Sequence, residues 1–219
     1  MVAGRPPGDS VSAVTEKVVR RRGKELVERL VAVALLVPVA PVGAVVALAI
    51  KLEGLLDSRA RGPVFFAEDR VSRGRVFKLL KFRVLTAEAL AGLGPGPTHI
   101  KSLEATHTTR VGRLLKAWYL DELPQLINIA RGDMALIGTR PWPLDIYEAE
   151  LAHGITRKRD MPAGLIGPVQ GAKGRGRSDV ELDLEYWEAY KTYPWWRLLA
   201  LDLRMVRDSL RTFFEHKGL

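Results

Sequence analysis

Two adjacent carboxylates, Asp121 and Glu122, stand just before Pro124 in the run Leu120 to Gln125. Paired carboxylates can attack an electrophile, hold a hard cation or move a proton. Arg110, Arg113 and Lys116 precede them, and Arg131 and Arg140 follow. Proline is tolerated in the first turn of a helix, so the spacing predicts a helix beginning near Asp121. A plain alternative is that Asp121 caps this helix and Glu122 complements its dipole. A helix N-terminus also attracts phosphate. Carboxylates set among so many cations make sense where a phosphate and a divalent metal meet. Mg²⁺ takes oxygen ligands and shares them with substrate phosphates.

The remaining composition narrows the chemistry. The 219 residues are 47% apolar and carry a formal charge of +9, which attracts anions. There is no cysteine, which excludes disulfides, thiolate metal sites and a cysteine nucleophile. His99, His107, His153 and His216 are scattered without metal-ligand spacing.

An uncharged run from Leu30 to Ile50 is long enough to enter a bilayer as a helix. Pro38 and Pro41 interrupt it, each removing a backbone donor. Arg20, Arg21, Arg22 and Lys24 precede the run, and Lys51, Arg59 and Arg61 follow it. Basic flanks favour the cytoplasmic side, so a re-entrant helix-break-helix keeps both inside. A kinked transmembrane helix is the alternative.

The chain then divides into a disordered stretch (1–15), a basic entry and membrane helix (16–56) and a cytoplasmic catalytic region (57–219). Val64 to Phe66 and Val76 to Leu80 read as strands of a short hairpin turning at Ser72-Arg73-Gly74. Ala91 to Pro97 and Gly171 to Arg177 read as loops, the latter able to cradle a phosphate. Helices are expected over Thr109–Trp118, Glu122–Ala130, Val180–Lys191 and Pro194–Glu215. The last carries Arg197, Arg204, Arg207 and Arg211 on one stripe behind Tyr193, Trp195 and Trp196, as suits an amphipathic interfacial helix.

These landmarks together resemble the monotopic polyprenyl-phosphate phosphoglycosyl transferases, also called bacterial sugar transferases. The resemblance runs from about Lys24 to Leu210. It is carried by the broken apolar helix, Gly62-Pro63-Val64-Phe65-Phe66, Lys81-Phe82-Arg83, Thr109-Arg110 with Gly112-Arg113, Leu120 to Gln125, Asn128, Gly132-Asp133-Met134, and Asp183 with Tyr186. The sequence departs from the family pattern at Thr139, within Gly138 to Pro141, and around Ala163 to Gly167. Glu68 stands where glutamine is usual, in Glu68-Asp69-Arg70, and Ala135 where serine is common.

The resemblance implies a mainly helical α/β fold on the cytoplasmic face of the bacterial plasma membrane. Its parts would be a re-entrant anchor, a small globular domain with a β-hairpin, and amphipathic helices on anionic lipids. It implies transfer of a phosphosugar from a nucleotide diphosphate sugar, UDP-linked by expectation, to undecaprenyl or a similar polyprenyl phosphate. Asp121 would be the nucleophile, forming a covalent phosphosugar intermediate and releasing UMP. Glu122 would hold Mg²⁺, and nearby cations would keep Asp121 ionised. Lys81, Arg83, Arg110, Arg113, Arg140, Gln170 and Asp183 would contact substrate or phosphate. Lys81 and Arg83 could equally be a solvated strand face, Arg140 could pair with Asp145, and Asp183 lies in an acidic run. A homodimer stays open. A non-catalytic membrane scaffold of the same fold is the main rival reading, opposed by the intact carboxylate pair. A nucleic-acid binder is a weaker one, since no nucleic-acid-binding pattern is legible.

Overall fold

A computed structural model describes residues 20–93, 107–171 and 178–215. The stretch expected to be disordered, most of the loop after Ala91 and the basic loop before Ser178 lie outside the described residues.

The apolar run forms one long helix, α1 (Arg22–Leu56), with Pro38 and Pro41 inside it. The expected break is therefore not a gap in the helix, which continues through both prolines. Packing explains the tolerance. Lys24, Glu28, Ala32, Leu36, Val39, Gly43, Val46, Ile50 and Gly54 recur every three or four residues, as one face of a helix must. This face lies on the globular body along its whole length. Ala32, Leu36 and Val39 join the core of Leu79, Leu126 and Ile129. Gly43 faces the Phe82 ring, and Val46 and Ile50 pack with Phe82, Val84 and Leu115. The other faces expose Leu30, Val33, Val37, Val45, Leu48, Leu55 and Leu56. By length and composition α1 could cross a membrane.

A 3₁₀ turn (Ser58–Ala60) leads into β1 (Phe65–Ser72) and β2 (Arg75–Phe82), an antiparallel hairpin. Its register pairs Ser72 with Arg75, so the turn proper is two residues, Arg73 and Gly74. Both have positive φ, 49° and 70°, which matches the right-handed twist of the strands. Arg73 is held in this conformation by an ion pair with Glu25 of α1 at 2.7 Å.

After α2 (Ala87–Ala91) comes α3 (Arg110–Ala117), capped by the Thr109 side chain. A Cβ on Gly112 would fall 2.3 Å from the Val84 carbonyl oxygen, so only glycine lets α3 lie this close to the end of β2. A 3₁₀ turn (Leu120–Glu122) precedes α4 (Gln125–Arg131). β3 (Ala135–Ile137) and β4 (Gly164–Ile166) form a second, parallel pair that the sequence reading did not anticipate. Between them lie α5 (Leu144–Ala152) and α6 (Arg157–Asp160). α7 (Pro168–Gly171), α8 (Asp179–Thr192) and α9 (Trp195–Glu215) complete the chain. Tyr186 and Tyr190 of α8 and Leu198 of α9 close a core against Ile137 and Met161.

Candidate active site

Asp121 and Glu122 occupy the 3₁₀ turn rather than the first turn of a longer helix; α4 begins only at Gln125, with Pro124 as its N-cap. Tyr119, at φ 55°, reverses the chain just before them. Asp121 is buried and Glu122 half-buried.

β2 packs against this turn, and Asn128 fixes the contact. The buried Asn128 side chain accepts from the Leu80 N–H at 2.9 Å and donates to the Lys78 carbonyl at 2.9 Å, as a third strand would. It also donates to Asp133 at 2.9 Å, which makes Asp133 part of the turn after α4. The sequence reading quoted Asn128 as a landmark and gave it no task. An Asn on the buried face of a helix was the available signal, because its amide must find backbone partners.

The hairpin brings Glu68, Arg70 and Lys81 onto one face. Lys81 lies opposite Phe66, so Glu68 is its diagonal neighbour and Arg70 follows two residues on. Glu68 Oε1 is 2.9 Å from Lys81 Nζ, and Arg70 donates to Glu68 Oε2 at 2.7 Å. The Val71 N–H donates to the Trp142 carbonyl at 3.0 Å, tying the segment after β3 to β1. Arg140 lies exposed in that segment.

Electrostatics knit these residues into one site. Burial raises the Asp121 carboxyl above its ordinary value, opposed by the charges of Lys81 and Lys116. Burial also raises Glu122, opposed by Lys81 and then Arg140, with Asp121 adding to the rise. Burial thus works against the cations expected to keep Asp121 ionised, and at this carboxyl it is the larger influence. Arg70 is lowered chiefly by burial, opposed by Glu68, with Arg140 lowering it further and Asp145 opposing.

Lys81 and Arg140 therefore stand with the carboxylate pair. Of the α3 cations, Lys116 is among the main influences on Asp121, whereas Arg110 and Arg113 are not. Both are exposed, and the Arg110 backbone N–H donates to Glu53 at 2.6 Å, on the α1 side. Arg83 is 1% exposed, and three of its guanidinium nitrogens donate to backbone carbonyls: Pro63 at 2.7 Å, Leu85 at 2.6 Å and Ala60 at 2.7 Å. Its guanidinium is taken up by backbone, so it organises the chain around the hairpin, and the pairing with Lys81 in one substrate role does not hold. Asp183 is buried on α8, not on the surface. Gln170 falls in α7, and its side chain lies outside the described residues.

Among the described residues no three acidic or histidine side chains gather as a metal cage. The donor set is instead two adjacent carboxylates, Asp121 and Glu122, on one 3₁₀ turn. That suits Mg²⁺, which keeps one or two carboxylates and takes the rest from water and substrate.

A profile of the family described as bacterial sugar transferase matches residues 19–215. A UDP-glucose:undecaprenyl-phosphate glucose-1-phosphate transferase of Caulobacter vibrioides is 37% identical, over 79% of this chain and 64% of its own length. The undecaprenyl-phosphate glucose phosphotransferase of Komagataeibacter xylinus is 34% identical, over 83% of this chain and 35% of its own. An Aeromonas hydrophila UDP-N-acetylgalactosamine-undecaprenyl-phosphate N-acetylgalactosaminephosphotransferase is 30% identical, over 90% of this chain and 44% of its own. The chain thus spans between about a third and two thirds of the length of these relatives. With a match reaching from the start of α1 to the end of α9, the chain belongs to the bacterial sugar transferase family.

Proposed function

We propose that this chain transfers a sugar 1-phosphate from a UDP-sugar to undecaprenyl phosphate, at the cytoplasmic face of the membrane. The observation that carries the reading is the adjacent Asp121–Glu122 pair on a turn packed against β2, with the charges of Lys81, Lys116 and Arg140 acting on it, in a member of this family. The relatives' names supply the donor and acceptor classes.

Asp121 attacks the sugar-bearing phosphorus. A carboxylate O–P bond forms, the P–O bond to the nucleotide breaks, and the electron pair leaves with UMP. The acceptor phosphate then attacks the same phosphorus and expels the Asp121 carboxylate. Both nucleophiles are anions, so neither step needs a base. Lys81 and Arg140 offset charge on the phosphoryl group. Glu122 would hold Mg²⁺, which when bound supplies further neutralisation of phosphate charge. Burial of Asp121 strips its hydration and readies it to attack once ionised.

The test is UMP release from a panel of UDP-sugars with undecaprenyl phosphate and Mg²⁺ in detergent. Wild type should release UMP and Asp121→Asn should lose on the order of a thousandfold or more. Full activity in the variant would remove Asp121 from the mechanism.

The anchor reading is that α1 enters and leaves on the cytoplasmic side. Its support is that Lys24 and Glu53, at opposite ends of α1, both bind the same globular body, at Ile137 and Arg110. The uncovered Leu and Val side chains supply the lipid-facing surface. The chain has no cysteine, so single cysteines placed at Arg22 and Asp57 can report topology. In intact cells both should resist a membrane-impermeant thiol reagent; labelling of one alone would mean a span.

A further inference from the structure

Glu68 is the one fully covered acid at the edge of this site: its side chain has 0% exposure. It lies between two cations. Oε2 accepts from Arg70 Nη2 at 2.7 Å, and Oε1 stands 2.9 Å from Lys81 Nζ as an ion pair. Without that carboxylate, two like charges would share one face of the hairpin with no acid between them. Lys81 is also the foremost cation acting on both Asp121 and Glu122. Its side chain is 21% exposed, and β2, which carries it, packs against the turn that holds both carboxylates.

We propose that Glu68 is a positioning residue, one oxygen fixing Lys81 against the Asp121–Glu122 pair and the other fixing Arg70. This inference rests on the transferase reading for its kinetic consequence, and otherwise on the Glu68 distances and the packing of β2 against the carboxylate turn. Glu68 touches the cations and not the phosphoryl group; it acts through Lys81. An amide offers one acceptor oxygen, enough to keep Lys81, but turns an NH₂ toward the second cation. A carboxylate satisfies both.

The effect should appear as a split between kcat and KM, with rescue by the isosteric side chain. Glu68→Ala should lower kcat for UMP release by on the order of a hundredfold, as misplaced groups do. KM for the UDP-sugar should move much less. Glu68→Gln should recover most of the loss. Glu68→Ala added to Lys81→Met should change kcat by less than about threefold, because both act through one group. Independent, multiplying effects would overturn the proposal, as would an unchanged kcat in Glu68→Ala. Should Glu68→Ala lose its cooperative thermal transition, Glu68→Asp replaces it. That variant keeps the charge but is too short to reach both nitrogens, and a smaller fall in kcat is expected.

A second readout needs no activity. Acetylation of Lys81, followed by peptide mass spectrometry against the exposed Lys51 as internal standard, should rise on the order of tenfold in Glu68→Ala or Glu68→Asp. If the wild type released no UMP while Lys81 labelling rose, the functional reading would fail and the clamp would stand. Unchanged labelling would overturn the clamp whatever the activity.

Discussion

Two ionic groups among the described residues are finished differently. At the start of α1, Lys24 Nζ lies 2.6 Å from Glu28 Oε1 and 2.7 Å from Asp202 Oδ2. Glu28 also accepts from the Ile137 N–H at 2.9 Å, and Tyr186 donates to Asp202 at 2.8 Å. Each of these residues is under 5% exposed, and together they join α1, β3, α8 and α9. Around Asp121 the partners are different in kind. Glu68 is enclosed, but Lys81 is part-exposed, Glu122 half-buried and Arg140 exposed. The first group is closed on itself and serves assembly; the second is left open on one side, where a charged ligand can complete it. Burial alone does not separate a structural ion cluster from a reactive one. The presence of charges that still face outward does.

The contrast can be broken most sharply at Lys24. Lys24→Met leaves Glu28 and Asp202 buried with no cation between them. Removing one partner of a buried pair costs about 3–5 kcal/mol. Chemical denaturation in detergent should show a loss of that size, while UMP release per folded molecule stays near wild type. A variant of normal stability, or one that folds fully but has lost turnover, would mean that the two groups are not divided as described.

A smaller effect is expected at Arg140. Its exposed guanidinium adds charge at Glu122 but supports no core. Arg140→Gln should raise KM for the UDP-sugar by on the order of tenfold, about 1.4 kcal/mol of binding. The unfolding midpoint should not move. A fall in stability comparable to that of Lys24→Met would class Arg140 with the closed group instead.

Much of this division was legible before folding was considered, and the limits have physical causes. The apolar run, the hairpin and the carboxylate pair announce themselves because local pattern determines them. The precise hairpin turn matters more than its existence. A two-residue turn at Arg73-Gly74 sets Lys81 opposite Phe66, and that register alone places Glu68 and Arg70 on the Lys81 face. Reading the turn as three residues hid this neighbour relation. Arg83 misled for another reason: it follows Lys81 by two residues, yet backbone carbonyls of Ala60, Pro63 and Leu85, segments beyond the strand pattern, take up its guanidinium. The Lys24 group was not legible at all, because Asp202 and Tyr186 are brought to Lys24 only by the packing of α8 and α9 across β3. Asp183 shows the same limit, since an acidic run gives no sign of which member points inward.

Burial also changes the proton affinity of the open site. Burial raises Asp121 above its ordinary value of 3.8 and Glu122 above 4.5. A carboxyl whose pKa is higher in the folded chain binds its proton more tightly there. Its contribution to stability is fully present below the ordinary value and is lost as pH rises through the raised one. Turnover runs the other way, because Asp121 attacks only when ionised and activity must fall as pH drops through the same raised value. Asp121→Asn removes the charge without removing the shape. At neutral pH it should be more stable than wild type, by a modest margin, since a tenfold change in proton affinity is worth about 1.4 kcal/mol. As pH falls below the raised value the two should converge, wild type gaining what the variant already has. Thermal midpoints of both proteins, measured from neutral pH down to about 4, decide the matter. Parallel curves would mean that Asp121 is no harder to ionise in the folded protein than in the unfolded chain, and the open site would then hold its nucleophile without strain.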